Sequence, residues 1–218
     1  MTLNTLYDKN QNIVVETNQI EAKLNEIGIT ENILLESVMA GLLARLNSTK
    51  FDTKNRPGYI QWNDTNSKLR FLTHNRGWEV YQEDGIEGII SIDKKIRIVP
   101  SSGNAATGNP NQPSSNKNPK GEKGIKIMKS SCQGNLFTGY PEDNEEQIKT
   151  YVLLYYSSNQ ELRAELSMPA LINSKGKITA WEERIMLPKQ LLNNTEIEFD
   201  IPKEEEIDIP VIRKHNEA

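Results

Sequence analysis

Cysteine and histidine are scarce in this sequence. Among its 218 residues there is one cysteine, Cys132, and the two histidines are His74 and His215. A single thiol cannot close an internal disulfide, and these three side chains do not supply the usual ligand set of a structural zinc site or a haem attachment. We therefore expect no metal ion and no cofactor. A serine or cysteine nucleophile would also have only His74 as an internal base, and that residue lies in a turn-forming stretch.

Long hydrophobic runs are missing as well. No stretch approaches the roughly 18 uninterrupted apolar residues that are needed to cross a bilayer, and residues 1–10 lack a basic segment followed by an apolar one. We expect a soluble, cytoplasmic protein without a membrane partner. The 26 basic and 30 acidic residues give a net charge of −4, which argues against a nucleic-acid ligand unless the positive charge is concentrated on one surface.

Helical periodicity is found in the N-terminal part of the chain. Apolar residues recur every three or four positions over residues 17–27, and Gly28 follows as the usual helix stop. A second apolar run over residues 31–46 begins after Thr30, a candidate N-cap, and contains Gly41, which would let a neighbour approach closely. Because its apolar positions cover more than half of the helix circumference, we predict a core helix packed on two sides, and a partner-binding helix is the alternative.

From Arg56 onwards the pattern changes to a period of two. Residues 59–71 are predicted to form a β-hairpin around the turn-forming cluster at residues 63–67. A second turn is predicted at residues 74–77, followed by another strand. Residues 88–99 then predict either a hairpin or one long strand broken by a charged bulge.

Residues 100–131 have a different composition, rich in proline, glycine, asparagine and lysine. Because the first 25 of these residues are almost devoid of apolar side chains, we predict a long surface loop that buries no core face. Three strands are predicted after it, in residues 150–188, and acidic edge strands in residues 196–212. Leu42 and Leu154 are predicted to belong to one core.

These patterns predict an α+β fold, in which N-terminal helices are followed by a predominantly antiparallel β-sheet. The chain divides into residues 1–99 with the helices and a first meander, the loop at 100–131, and residues 132–218 with a second meander and the acidic edge strands. At this length the three parts are expected to form one domain.

Two sets of charged residues are candidates for catalysis. Asp84, Asp93 and Lys95 have a spacing that restriction-type nucleases use to hold Mg²⁺ and activate water, although Asp-Gly and Asp-Lys are also ordinary turn dipeptides. Carboxylates at residues 161–165 and 182–183 would lie across a hairpin. Since arginines occur in the same two strands, cross-strand salt bridges are the simpler prediction for that second set.

A candidate phosphate-binding region follows the strand predicted at residues 95–99. Small residues and glycines at 101–108 could present backbone N–H groups to an anion, although a complete P-loop motif is absent. Five lysines within thirteen residues would add positive charge, with Arg97 on the neighbouring strand. A solvated loop is the alternative. The candidate residues for phosphate or nucleic-acid binding are Arg97, Lys117, Lys120, Lys123, Lys126 and Lys129.

The sequence favours a non-enzymatic interaction module over an enzyme. Catalytic signatures are missing, and opposite charges are segregated into the basic loop and the acidic residues near the other end of the chain. Its frequent asparagine and lysine suggest a subunit or accessory protein of a bacterial or phage multi-component system, with a protein partner. The alternatives are a nucleic-acid-binding protein that uses the lysine-rich loop and a metal-dependent nuclease that requires Mg²⁺.

Overall fold

The computed structural model describes residues 12–83, 85–132, 148–158 and 160–192. In this part of the chain there are four helices and eight strands. The helices are α1 (Thr17–Ile27), α2 (Glu31–Leu46), α3 (Arg56–Thr73) and α4 (Glu122–Cys132). The strands are β1 (Asn12–Val14), β2 (Trp78–Glu83), β3 (Ile86–Ser91), β4 (Ile96–Ser102), β5 (Lys149–Ser157), β6 (Glu161–Ile172), β7 (Ile178–Met186) and β8 (Gln190–Leu191).

All eight strands belong to one mixed sheet with the order β1-β7-β6-β5-β4-β3-β2, and β8 pairs with the start of β6. Neighbouring strands are antiparallel except for two pairs, β1–β7 and β4–β5, which are parallel. The predicted α+β fold with a mostly antiparallel sheet is therefore confirmed. The parallel β4–β5 pair is important for the site described below, because parallel strands end at the same edge of the sheet.

The core lies on both faces of this sheet. One cluster of buried side chains joins α1 and α2 to the sheet, and a second one lies under α4. Alternate residues of β5 point to opposite faces, so Leu153 belongs to the first cluster and Leu154 to the second. Leu42 is in the first cluster. Both predicted core leucines are buried, but the prediction that they share one core is wrong.

The two N-terminal helices form where they were predicted. Gly28 ends α1 with a left-handed backbone (φ 83°), and the Thr30 side chain accepts a hydrogen bond from the Ile33 backbone N–H at the start of α2. A Cβ atom on Gly41 would lie 2.3 Å from the backbone oxygen of Gln61 on α3, so α2 and α3 pack closely at this point.

The hairpin predicted at residues 59–71 is wrong, because this stretch lies in helix α3. The buried face of α3 is mostly polar, so the sequence has no apolar helical period there. The hydroxyl groups of Thr65 and Thr73 each donate to the carbonyl four residues earlier, with both distances 2.7 Å. Those bonds satisfy the buried hydroxyl groups within the helix itself. The buried residues of α3 are Gln61, Thr65, Asn66, Leu69 and Thr73.

The segment predicted as a surface loop needs a second correction. Its first residues complete β4 and its last ones form α4, which leaves residues 103–121 without a helix or strand. Polar side chains of this irregular part are buried, among them Thr107, Ser114 and Asn116. Loop composition did not reveal this packing, because Ser114 and Asn116 are held by hydrogen bonds to Glu165, Gly176 and Ile178.

Two further sequence predictions concern other parts of the chain. The acidic edge strands predicted at residues 196–212 lie outside the described residues. Within the described ranges, no single helix is long and apolar enough to cross a membrane, and α1 with α2 meets that test only as a pair bent by 89°.

Candidate anion-binding cleft

A cleft of about 910 Å³ opens at the edge of the sheet where β4 and β5 end. Ser102 and Tyr155 are register partners at the carboxyl ends of these two parallel strands, and both line the cleft. Ligands of sheets with parallel strands usually bind at that edge. The charged and aromatic residues that line the cleft are Arg45, Lys54, Lys117 and Lys120 with Tyr59, Trp62, Tyr155 and Tyr156.

The irregular segment reaches the cleft through backbone hydrogen bonds to both strands. The Gly103 N–H donates to the Tyr155 carbonyl (2.8 Å), and the Lys117 N–H donates to the Ser102 carbonyl (2.7 Å). A Cβ atom on Gly103 would lie 1.9 Å from the Thr107 hydroxyl oxygen, so only glycine fits at this turn. Lys117 is thereby placed directly beside the end of β4.

Asn116 and Gly176 hold the next residues of the segment. The Asn116 side-chain amide donates to the Gly176 carbonyl (2.9 Å), and its oxygen accepts from the Ile178 N–H (2.8 Å). The Lys120 N–H donates to the same Gly176 carbonyl (2.9 Å). Because Asn116 is fully buried, these bonds form in a dry environment and fix the backbone that carries Lys117 and Lys120.

A buried ion pair holds the first half of the segment. Arg184 donates to Glu165 at 2.6 Å, and the two side chains are only 1% and 0% exposed. Glu165 also accepts from the Ser114 hydroxyl (2.5 Å) and from the Gly108 N–H (3.0 Å). Arg184 in turn donates to the Gln112 carbonyl (3.0 Å). This pair confirms the predicted cross-strand salt bridge and shows that Glu165 supports the loop.

Helices α2 and α3 form the opposite wall. Arg45, in the last turn of α2, donates to the side-chain oxygen of Gln61 (3.0 Å) and to the Ser157 hydroxyl (3.4 Å). The guanidinium is therefore oriented by groups on α3 and β5. The rings of Tyr59 and Trp62 lie 5.9 Å apart in a tilted arrangement, and Tyr59 is 60% exposed.

The electrostatic character of the cleft is positive. Four basic side chains line it, and the described lining residues include no aspartate or glutamate. The first turn of α3 also lies at the cleft, and the N-terminus of an 18-residue helix carries a partial positive charge. Burial lowers the pKa of Lys120 to about 8. Burial raises the pKa of Tyr155 to about 12, against the opposite effects of Ser102 and Arg45, so its hydroxyl stays neutral.

The structure brings together part of the predicted phosphate-binding set. Ser101, Ser102 and Gly103 line the cleft together with Lys117 and Lys120. The other three predicted lysines lie on α4 and have exposed side chains. They do not line the cleft, but they follow one another at three-residue spacing along the helix that begins just after Lys120. These lysines are Lys123, Lys126 and Lys129.

Arg97 lies elsewhere, inside the second core cluster. Its guanidinium donates to the Tyr81 hydroxyl (2.7 Å) and to the Thr150 hydroxyl (2.7 Å), and it lies 4.6 Å from the centre of the Tyr81 ring. Burial lowers the pKa of Arg97, and the nearby Tyr81 opposes this effect. Arg97 is 4% exposed, so it supports the core and is not among the residues that line the cleft.

Two of the three candidate nuclease residues, Asp93 and Lys95, are not at the cleft. Asp93 and Lys95 lie in the exposed turn before β4, whereas the cleft follows the end of that strand, about 20 Å away for seven residues. Asp93 accepts from the Ser91 hydroxyl (2.6 Å) and the Lys95 N–H (3.1 Å), and these bonds lower its pKa. Asp84 lies outside the described residues, so its role in the nuclease hypothesis stays a prediction. The described residues contain no group of three or more histidine, cysteine or carboxylate side chains that could hold a metal ion.

Sequence reasoning missed the wall formed by α2 and α3. Arg45, Lys54 and Tyr59 were not among the predicted residues, and Tyr59 lies in the stretch 59–71 that was interpreted as a hairpin. Trp62 also lies in the stretch that was predicted as a hairpin. The tryptophans that do lie in the core are Trp78, which donates to the Gly28 carbonyl, and Trp181, which donates to the Ser114 carbonyl.

We also compared this chain with known proteins. No protein-family model, no curated protein and no solved structure matches it.

Proposed function

We propose that this chain is a non-enzymatic interaction module that binds single-stranded nucleic acid in the cleft. The observation that carries the proposal is the combination of four basic side chains and four aromatic ones around a single opening. Such a module would act as an accessory subunit within a bacterial or phage multi-component system, alongside a protein partner.

Phosphate groups are the part of the ligand that the basic side chains would bind. Arg45 is already oriented by Gln61 and Ser157, so little rotational freedom would be lost when it contacts a phosphate. Lys117 and Lys120 line the same cleft from the irregular segment, whose backbone is fixed by Ser102 and Gly176. Contacts of this kind bind the backbone of any sequence and weaken as salt increases.

The aromatic side chains favour an unpaired strand over a duplex. Tyr59 and Trp62 line the cleft, and stacking of a base on an aromatic ring contributes about 1–3 kcal/mol. In a duplex the base faces are covered by neighbouring base pairs, whereas an unpaired strand can turn its bases outwards. We therefore expect the affinity for single strands to exceed that for duplexes of the same length.

The proposal is tested by measuring fluorescence anisotropy of labelled single- and double-stranded oligonucleotides over a salt series. Neutralising Lys117 and Lys120 by glutamine should weaken binding uniformly across sequences and reduce the slope of log affinity against log salt by about one for each lysine. Trp62→Ala should weaken single-strand binding with the salt slope unchanged, because it removes stacking and no charge.

Lys149→Gln is the matched control. It removes one exposed positive charge at the start of β5, at the opposite end of the strand from the cleft, so its affinity should equal that of the parent protein. Absence of binding to any oligonucleotide at low salt, or equal losses in Lys149→Gln and Lys117→Gln, would show that the proposal is wrong.

A further inference from the structure

We propose that Lys120 is a nucleophilic lysine that forms an imine, in the cleft, with an aldehyde that carries a phosphate group. Two kinds of molecule combine these groups: a small phosphorylated aldehyde, and a DNA strand in which one sugar has lost its base. The second source rests on the proposed function, because such a strand would enter the cleft as a single strand. Imine formation itself does not rest on it.

The backbone of Lys120 is held firmly at the wall of the cleft. Its N–H donates to the Gly176 carbonyl (2.9 Å), and a Cβ atom on Gly176 would collide with the Lys120 carbonyl oxygen. The turn between β6 and β7 therefore packs directly against this residue. Lys120 lines the cleft and is half-buried, whereas Lys117, which also lines it, is exposed.

The side chain of Lys120 begins beside the second core cluster. A Cβ atom added at Gly124, in the first turn of α4, would lie 3.3 Å from the Lys120 Cβ and 3.5 Å from the Ile86 side chain. Gly124 is buried, and Ile86 belongs to the second core cluster. The apolar stem of Lys120 thus starts on an apolar surface, and the amine at its end is the part that remains for a ligand.

Burial also changes the acid–base state of the amine. Desolvation lowers the pKa of Lys120 to about 8, and no ion pair with a described carboxylate opposes this effect. At pH 7.5 the amine is then neutral in about a quarter of the molecules, against about one in a thousand at the ordinary pKa of 10.5. The neutral amine is the form that attacks a carbonyl carbon, and desolvation is one way in which proteins activate lysines for imine chemistry.

Phosphate binding alone does not require a lysine of this kind. Arg45, Lys54 and Lys117 already bring positive charge to the cleft, and a lysine that has lost part of its charge contributes less to binding a phosphate. Arg45 is in addition oriented by its hydrogen bonds to α3 and β5. The cleft therefore combines charged groups suited to a phosphate with one amine suited to an aldehyde.

Imine formation needs no further reactant. The neutral amine nitrogen of Lys120 attacks the aldehyde carbon and gives a carbinolamine. The former aldehyde oxygen then leaves as water together with both amine hydrogens, and a C=N double bond joins the lysine to the ligand. Nothing is oxidised or reduced, so the step requires neither a cofactor nor a metal ion.

A single strand that lacks one base presents both groups that the cleft would bind. When the sugar ring of such a site is open, its first carbon is an aldehyde, and phosphates flank this sugar on both sides. The phosphates would contact the basic side chains, as in the proposed function, while neighbouring bases stack on Tyr59 and Trp62. No base then stands between the aldehyde carbon and Lys120.

The small-molecule source is tested on the full chain with pyridoxal 5′-phosphate, which carries an aldehyde and a phosphate. Borohydride reduction turns each imine into a stable amine, and peptide mass spectrometry identifies the labelled lysines. We expect Lys120 to be labelled about tenfold or more over Lys149, an exposed lysine at the far end of β5. Excess inorganic phosphate should reduce the labelling of Lys120, because it competes for the basic side chains.

The strand source is tested with a single-stranded oligonucleotide that contains one abasic site, trapped with borohydride and mapped in the same way. The covalent product should lie at Lys120. It should be lost in Lys120→Arg, because a guanidinium is not nucleophilic, and kept in Lys149→Arg, which makes the same exchange far from the cleft. An equal amount of product in Lys120→Arg, or no preference for Lys120 with either probe, would overturn the proposal.

The results for intact strands separate this inference from the proposed function. Binding of an intact single strand, with no preferential product at Lys120 from either probe, rejects the inference and leaves the proposed function standing. A product at Lys120 without binding of intact strands rejects the proposed function and retains imine formation. A product with pyridoxal 5′-phosphate but none with the abasic strand also retains it, and identifies small phosphorylated aldehydes as the source.

Discussion

Lys120 gives the cleft a charge that depends on pH close to neutrality. Burial lowers its pKa to about 8, so the ammonium group is present below that pH and lost above it. Oligonucleotide affinity should therefore fall between about pH 7 and 9. Lys120→Arg keeps its charge throughout this range, so its affinity should lack that fall. Anisotropy measured across the range tests this, and identical profiles for the two proteins would contradict it.

The same pKa shift has an effect on folding, with a sign that follows from linkage. The unfolded chain binds this proton up to pH 10.5, whereas the folded protein loses it at about 8. Between those values the unfolded state holds more protons, so the free energy of unfolding should rise with pH. Urea denaturation of the parent and of Lys120→Arg over this range isolates the contribution.

The Glu165–Arg184 pair predicts a large loss of stability from a small chemical change. Glu165→Gln leaves the Arg184 charge buried and uncompensated, so the free energy of unfolding should fall by about 3–5 kcal/mol. Glu161→Gln is the matched control, because the Glu161 side chain is 26% exposed and pairs with Arg163 and with the exposed Lys189, so its loss should cost about 1 kcal/mol or less. Chemical denaturation of both variants gives the comparison, and equal losses would show that the buried pair has no special role.

At the scale of the elements, Gly41 and Gly58 make opposite predictions for the same substitution. Gly41→Ala would push a methyl group into Gln61 and Thr65 on α3, which should cost about 1–3 kcal/mol. Gly58 lies in the first turn of α3 with no atom within 4 Å of its added Cβ, so Gly58→Ala should be neutral or stabilise by up to about 1 kcal/mol. Thermal unfolding of the two variants measures the difference, and a stabilised Gly41→Ala protein would refute the close packing of α2 and α3.

The helices also show what the sequence could predict. The positions of α1 and α2 were predictable because their buried residues are mostly apolar and recur at helical spacing. Helix α3 was not predictable in this way, because Gln61 and Thr65 are buried through hydrogen bonds to their own helix and to its neighbour. Two lysines of the cleft, Lys117 and Lys120, were predicted from local composition. Arg45 could not be predicted in this way, because it lies at the cleft only through the packing of α2 on α3.

For the whole molecule, we expect the two core clusters to contribute independently to the free energy of unfolding in one cooperative transition. Leu42→Ala and Leu154→Ala should each lower the free energy of unfolding by about 2–5 kcal/mol. Because the residues lie on opposite faces of the sheet, the double variant should show the sum to within about 0.5 kcal/mol. Leu46→Ala is the control on α2, since Leu46 is 59% exposed. Urea unfolding that shows strong coupling between Leu42 and Leu154 would contradict the two-cluster description.

The pairing of the strands could not be predicted from the sequence. Alternation in residues 150–188 predicted strands that do form, but alternation says nothing about which strand lies beside which. The parallel alignment of β4 and β5 depends on the intervening segment, whose buried bonds to Glu165 and Gly176 have no signature in composition. The cleft arises from that alignment, so its location could not have been predicted even where its lysines were.

The parallel pairing of β1 with β7 sets an order of events during synthesis. Asn12 and Glu183 are register partners and hydrogen-bond each other across 171 residues of chain. At the usual pace of translation, β1 leaves the ribosome roughly 10–30 s before its partner strand exists. Throughout that interval Val14, which is buried in the finished sheet, has no strand to cover it. Strand β1 is therefore among the last of the described strands to be placed, and its unpaired edge is available to chaperones until β7 emerges.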